Sequence, residues 1–204
     1  MTRDKAFLRL GLITSAVFCL GYARFSFAEQ PIQQVQRTVE RVTRVLQDAG
    51  VDAKSDRRET AEKIRRILLP SFDFAEMAKR SLGDQWANLG GKQNEFVTVF
   101  APFVENAYMN TLASYRGEKI IYLRERVNQN LAQVDTQIVS ENGDPLAVSY
   151  RLHLVESEWK VYDVVVDNIG LVSNFHSQFN RILASASVDE LLRKLREKGS
   201  GKPV

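Results

Sequence analysis

"WKVYDVVVDNIGLVSNFHSQF", Trp159 to Phe179, is the stretch that decides how this chain folds. Its first half alternates as a strand does. Trp159, Val161 and Val165 fall on one side, and Tyr162, Val164 and Val166 fall on the other. Both faces are apolar, so both need cover. A run with helical character, Ile169 to Phe179, follows at once. Such a strand belongs in a sheet with helices against one face and something further against the other.

Upstream, the two-residue period reaches back to Glu118 and predicts four strands, about 118–127, 131–140, 145–155 and 158–167. Asn142-Gly143-Asp144 and Glu156-Ser157 mark the last two turns. A one-residue slip moves every side chain to the other face, so burial selects the register. A three-residue loop at Asn142 to Asp144, with Gly143 or Asp144 left-handed, sets Val134 and Ile138 opposite Leu152 and Val148. A two-residue loop at Glu156-Ser157 adds the next strand. The shared face then carries Val134, Ile138, Val148, Tyr150, Leu152, Leu154, Trp159, Val161 and Val165, with Asp163 opposite Tyr150.

The rest of the domain reads as helices. Ile32, Val35, Val39, Val42 and Leu46 recur at helical spacing and stop at Gly50. Ser55 is placed to cap a second helix through Ile64, Ile67 and Leu68, which Pro70 closes. Asp73 caps a short third helix containing Met77. A long helix from about 93 to 115 shows Phe96, Phe100, Phe103, Val104, Ala107, Tyr108 and Leu112 as a broad stripe. Helices on one face of an antiparallel meander make an α+β layer fold.

Residues 1–28 read as a signal peptide. Arg3, Lys5 and Arg9 precede the apolar run Leu10 to Leu20, and Ser26-Phe27-Ala28 offers a cleavage site after Ala28. The run is well short of the roughly 20 residues of a membrane span. Residues 29–204 then form a single domain. The chain holds 28 basic and 25 acidic residues. The leader holds four basic and one acidic, which leaves 24 of each, so no nucleic-acid footprint is expected. Cys19, the only cysteine, lies in the leader, so the domain relies on no disulfide.

Catalytic groupings are sparse. His153, opposite Lys160, and His176, in the polar patch Asn174 to Gln178, read as structural or solvated. No phosphate loop, metal-spaced histidine pair or nucleophile elbow occurs. Asp163 beside Tyr150 is the one arrangement with isomerase- or dehydratase-like potential, and a plain Tyr–Asp hydrogen bond explains it as well.

Four blocks together resemble a known family. They are "SFDFAEMAKRSLGDQW" (Ser71–Trp86), "QNEFVTVFAPFVENAYMNTLASYRGEKIIY" (Gln93–Tyr122), "VSYRLHLVESEWKVYDVVVDNIGLVSNFHSQF" (Val148–Phe179) and "VDELLRKLREK" (Val188–Lys198). In this order, behind an export signal, they resemble the MlaC or toluene-tolerance family of periplasmic phospholipid carriers. The resemblance implies a curved four-stranded antiparallel sheet wrapped by helices, similar to nuclear transport factor 2, around an apolar cavity for acyl chains. It implies a periplasmic carrier and not an enzyme. Phospholipid is its cargo and it uses no cofactor. Its partners would be an outer-membrane lipoprotein–porin complex and an inner-membrane lipid ABC transporter with an MlaD-type ring, and its role would be to maintain outer-membrane lipid asymmetry. On the register above, the slot is expected to be lined by Val134, Ile138, Val148, Tyr150, Leu152, Val161 and Val165, with Phe100, Val104 and Tyr108 opposite. This chain departs from the family at Asn168, after Asp167, and at Phe175-His176, where the family often has Tyr-Arg.

Overall fold

The computed structural model describes residues 29–51, 57–113, 117–140 and 143–199. The leader, the Ser55 cap and the centre of the Asn142 turn lie outside them, as does the side chain of Leu112. Six helices are described: α1 (Pro31–Val51), α2 (Arg57–Leu68), α3 (Phe74–Leu82), α4 (Gln93–Ala113), α5 (Leu171–Leu183) and α6 (Val188–Gly199). The strands are β1 (Lys119–Asn128), β2 (Leu131–Val139), β3 (Leu146–Val155), β4 (Glu158–Val166) and β5 (Ile169–Gly170). They form one open antiparallel sheet in chain order. The sheet therefore has five strands among the described residues, not four. The fifth is Ile169-Gly170, which precedes α5 instead of opening it.

Local chemistry explains the turns and caps. Glu156 and Ser157, with φ of 48° and 73°, form the two-residue hairpin between β3 and β4. Asp167 and Asn168, at 47° and 67°, repeat it between β4 and β5. Both central residues of such a turn need positive φ, which Asp and Asn tolerate better than most. The Asn168 departure is thus compatible with the turn. Asp73 caps α3, its Oδ1 accepting from the Glu76 amide at 2.9 Å. The N-terminus of α5 is capped from outside: Asp163 Oδ1 accepts from Val172 N at 3.0 Å.

The register differs from the expected one in two places. Val134 faces Tyr150 and Ile138 faces Leu146, a slip of two residues that preserves which face each side chain occupies. The β2–β3 connection is longer than three residues, and neither Gly143 nor Asp144 takes a positive φ. In β4 a bulge at Tyr162 has the larger effect. Before it, Leu152 pairs with Val161 and Leu154 with Trp159, as expected. After it, Arg151 pairs with Asp163 and Tyr150 with Val164. One extra residue re-aims everything beyond it. Val165 leaves the inner face, and Val164 and Val166 take it over.

Two apolar clusters hold the fold. In the first, Phe96, Phe100, Phe175 and Phe179 interlock with Met77, Leu82 and Leu191, with the centroids of Phe100 and Phe175 5.4 Å apart, edge to face. In the second, Ala132, Val134, Leu152, Trp159 and Val161 on the sheet pack on Val35 of α1. Phe72 packs against both. The N-terminal end of α1 is pinned to the sheet by polar contacts. The Gln34 amide accepts from Trp159 N at 3.0 Å, and Ile32 N donates to Glu125 Oε2 at 2.9 Å.

The outer surface of the sheet is polar where it meets water. Asp135 accepts from Arg124 (2.7 Å), Arg126 (3.2 Å), Gln133 (2.6 Å) and Ser149 (2.7 Å). Where β4 meets helices, Tyr162 lies edge-on to His153 and beneath the Arg80 guanidinium, 4.1 Å from its ring centre. Helices thus cover the second face of β4 that the opening stretch left unexplained.

Candidate functional site: an apolar cavity between sheet and helices

Between the two clusters lies a cavity of about 340 Å³. This is within the size range of small-molecule sites, about 300–1,000 Å³. Its floor is the inner face of the sheet, and its roof comes from α1, α2, α4 and the turn around Phe72. The turn is held in place by Asp73 N donating to Val161 O at 2.9 Å. His153 Nε2 lies 3.0 Å from Asp73 Oδ2, so this histidine serves the framework. His176 does likewise, with Nδ1 3.2 Å from Ser81 O and Nε2 2.9 Å from Asn180.

Of the side chains expected there, Val104, Tyr108, Ile138, Val148, Tyr150, Leu152 and Val161 line the cavity. Phe100, Val134 and Val165 do not. Phe100 is wholly buried in the aromatic cluster, because the α4 stripe turns its most central ring towards α5. Val134 is wholly buried in the sheet cluster. Val165 is turned away by the Tyr162 bulge. The same bulge separates Asp163 from Tyr150. Asp163 lies on the far face, accepting from Arg151 Nη1 at 3.0 Å, while Tyr150 faces the cavity. The paired acid and phenol of the enzyme reading are therefore not assembled.

Sequence reasoning missed the α1 contribution: Val35, Val39, Val42 and Leu46 all line the cavity. Their helical stripe is legible in the sequence, but nothing in it shows that four of its five residues, all but Ile32, face open space. Leu69, Phe72 and Leu171 also line it.

The electrostatics are those of a hydrocarbon-like interior. Tyr150 is enclosed deeply enough that burial pushes its hydroxyl up to about 12, an effect a hydrogen bond with Thr136 only partly offsets. Burial also raises Tyr108. Both phenols are neutral at physiological pH. Thr38 turns its hydroxyl back to Gln34 O at 3.0 Å, as helix threonines do. Two charged residues reach the wall, Arg65 and Glu105, and they bond each other: Arg65 Nε donates to Glu105 Oε2 at 2.8 Å. Among the described residues no His, Asp and Glu cluster could hold a metal ion.

The family model for MlaC protein matches residues 36–197, most of the chain, from within α1 into α6. The chain belongs to the MlaC family. A relative from Haemophilus influenzae, the intermembrane phospholipid transport system binding protein MlaC, is 23% identical, over 93% of this chain and 92% of its own length. The toluene tolerance protein ttg2D of Pseudomonas putida is 24% identical, over 74% of this chain and 72% of its own. Among solved structures, a phospholipid-binding protein from Ralstonia solanacearum in complex with a phospholipid superposes with a TM-score of 0.72. It is 21% identical, and the match covers 86% of this chain and 98% of that one. That likeness establishes a shared fold. As an MlaC family member, this chain keeps the α+β layer, and its Phe175 occupies the aromatic cluster at 2% exposure.

Proposed function

We propose that this chain carries phospholipid, holding acyl chains in the cavity between sheet and helices. One observation carries the reading: the cavity wall is almost wholly apolar, and its two charges neutralise each other. The phospholipid binding of the Haemophilus and Ralstonia relatives supports it.

The energetics favour an enclosed slot over a surface patch. Burying a methylene stabilises by about 0.8 kcal/mol. Exposing two chains of ~30 methylenes therefore costs on the order of 20 kcal/mol. Cargo so held leaves slowly on its own, so release needs a partner that continues the apolar path. We place the protein in the periplasm, as the export signal read in residues 1–28 suggests, and no described helix is long and apolar enough to cross a membrane. The partners would be the outer-membrane lipoprotein–porin complex and the inner-membrane transporter with an MlaD-type ring. The role would be to maintain outer-membrane lipid asymmetry by physical transport, with no cofactor.

The test uses vesicles containing a self-quenched fluorescent phospholipid. Protein added in excess should dequench the probe and carry it into the soluble fraction after the vesicles are pelleted. Probe that stays wholly with the vesicles would overturn the reading.

A further inference from the structure

The Arg65–Glu105 pair sits at the edge of the cavity, not deep within it. Arg65 spans the wall: its Nε reaches Glu105, which lines the cavity, and its Nη1 reaches Glu62 at 2.8 Å. Glu62 does not line the cavity, and half of its side chain is exposed. The side chains of Arg65 and Glu105 are 30% and 15% exposed. Neither is used up by the contact. Among the described residues, Arg65 Nη2 donates to nothing and Glu105 Oε1 accepts from nothing. A guanidinium has five donors in a fixed fork, and a carboxylate accepts at both oxygens, so each partner retains capacity for a ligand.

We infer that this pair is a headgroup site that selects zwitterionic phospholipids, those with a phosphate and an ammonium, over anionic ones. The inference rests on the carrier reading. A phosphodiester and a nearby ammonium form a minus–plus pair, the complement of Arg65 and Glu105. With acyl chains in the apolar slot, the phosphate takes the free edge of Arg65, a geometry guanidinium favours. The ammonium lies by Glu105 and Glu62. The pairing sets the preference. Arg66 lies alongside, its Nε on Glu62 O at 3.3 Å, so the rim as a whole does not repel a phosphate. A headgroup with a phosphate and no cation leaves the Glu105 carboxylate unmatched, while a zwitterion matches both members of the pair. Selection here acts on the headgroup alone, because the slot is indifferent to it.

The purified protein is incubated with vesicles of equimolar phosphatidylethanolamine and phosphatidylglycerol. It is then separated, and its lipid is extracted and counted by class. Wild type should be enriched in phosphatidylethanolamine by about fivefold, equivalent to about 1 kcal/mol for a partly exposed charge pair. Glu105→Gln removes the negative partner and frees the arginine. It should lose most of the enrichment, read as the ratio of the two classes in the lipid that is bound. Arg65→Gln should lower phosphatidylethanolamine uptake without raising phosphatidylglycerol. Thermal melting of each variant confirms folding, and the conservative Glu105→Asp should retain part of the preference. Wild type that binds both lipids equally, or Glu105→Gln with an unchanged ratio of the two classes, would overturn the headgroup site and leave the carrier reading standing. Wild type with no lipid of either class would overturn both.

Discussion

Val148→Glu separates a ligand-facing wall from ordinary core. Val148 is 5% exposed and lines the cavity, yet it belongs to neither apolar cluster. Its inward neighbour is space. Losing the buried valine removes about 1.5 kcal/mol. A carboxylate facing hydrocarbon must neutralise or find water. In the empty protein, water can enter the cavity, so the stability loss should be about 1–3 kcal/mol and the variant should fold. With acyl chains in place water is excluded. Raising the glutamate from about 4.3 to beyond 7 then costs about 4 kcal/mol at neutral pH. Lipid affinity should fall several-hundredfold. The assay pairs thermal melting with phospholipid phosphorus extracted per protein, beside Val148→Ala, which should keep its lipid. A Val148→Glu protein that melts like wild type with a full lipid load would show that Val148 does not face the cavity. Outright unfolding would make it core. Either result would refute the reasoning.

Phe100→Ala should lower stability by about 3–5 kcal/mol, since it removes a wholly buried ring in contact with Phe96, Phe103, Phe175 and Phe179. Chemical denaturation measures this, and a loss below 1 kcal/mol would contradict the packing. Asp163→Ala removes the external cap of α5 and the partner of Arg151, and should cost about 1–3 kcal/mol; changed lipid content with unchanged melting would instead place Asp163 on the cavity side. At Asp135 desolvation pushes the carboxyl up, but bonds from Gln133, Arg124 and Ser149, and the charge of Arg126, outweigh it and lower the group to about 2. A depressed carboxyl contributes stability above its unfolded value near 3.9 and loses it as pH falls towards 2. Because Arg124 and Arg126 are more than half exposed, the contribution should be only about 1 kcal/mol. Asp135→Asn should therefore lose about that much less stability than wild type between pH 5 and pH 2; equal losses would contradict the assignment.

Much of the layer fold is legible in residue spacing. The Asp73 cap, the Glu156-Ser157 hairpin and the switch to a two-residue period near Glu118 each have a local chemical cause that acts without tertiary help. The Tyr162 bulge has none. Val161-Tyr162-Asp163 reads as uninterrupted alternation, and the extra residue is accommodated because Tyr162 finds His153 and Arg80 beside it. That tertiary fit exchanges Val165 for Val164 and Val166 at the site. The two-residue slip between β2 and β3 escapes for another reason: parity fixes which face is buried, but not which residue stands opposite which. On α1 and α4 the apolar stripe shows that a face is dry. It does not show whether protein or cargo keeps it so, which is why Phe100 belongs to the core and Val39 to the cavity wall.

Native mass spectrometry of the protein, purified from cells without detergent, tests the central claim most directly. The carrier account predicts a protein peak displaced by the mass of bound phospholipid, returning to the bare chain on activation in the gas phase, with the same lipid recovered by extraction. A bare chain mass in every preparation, persisting after incubation with phospholipid vesicles, would contradict it.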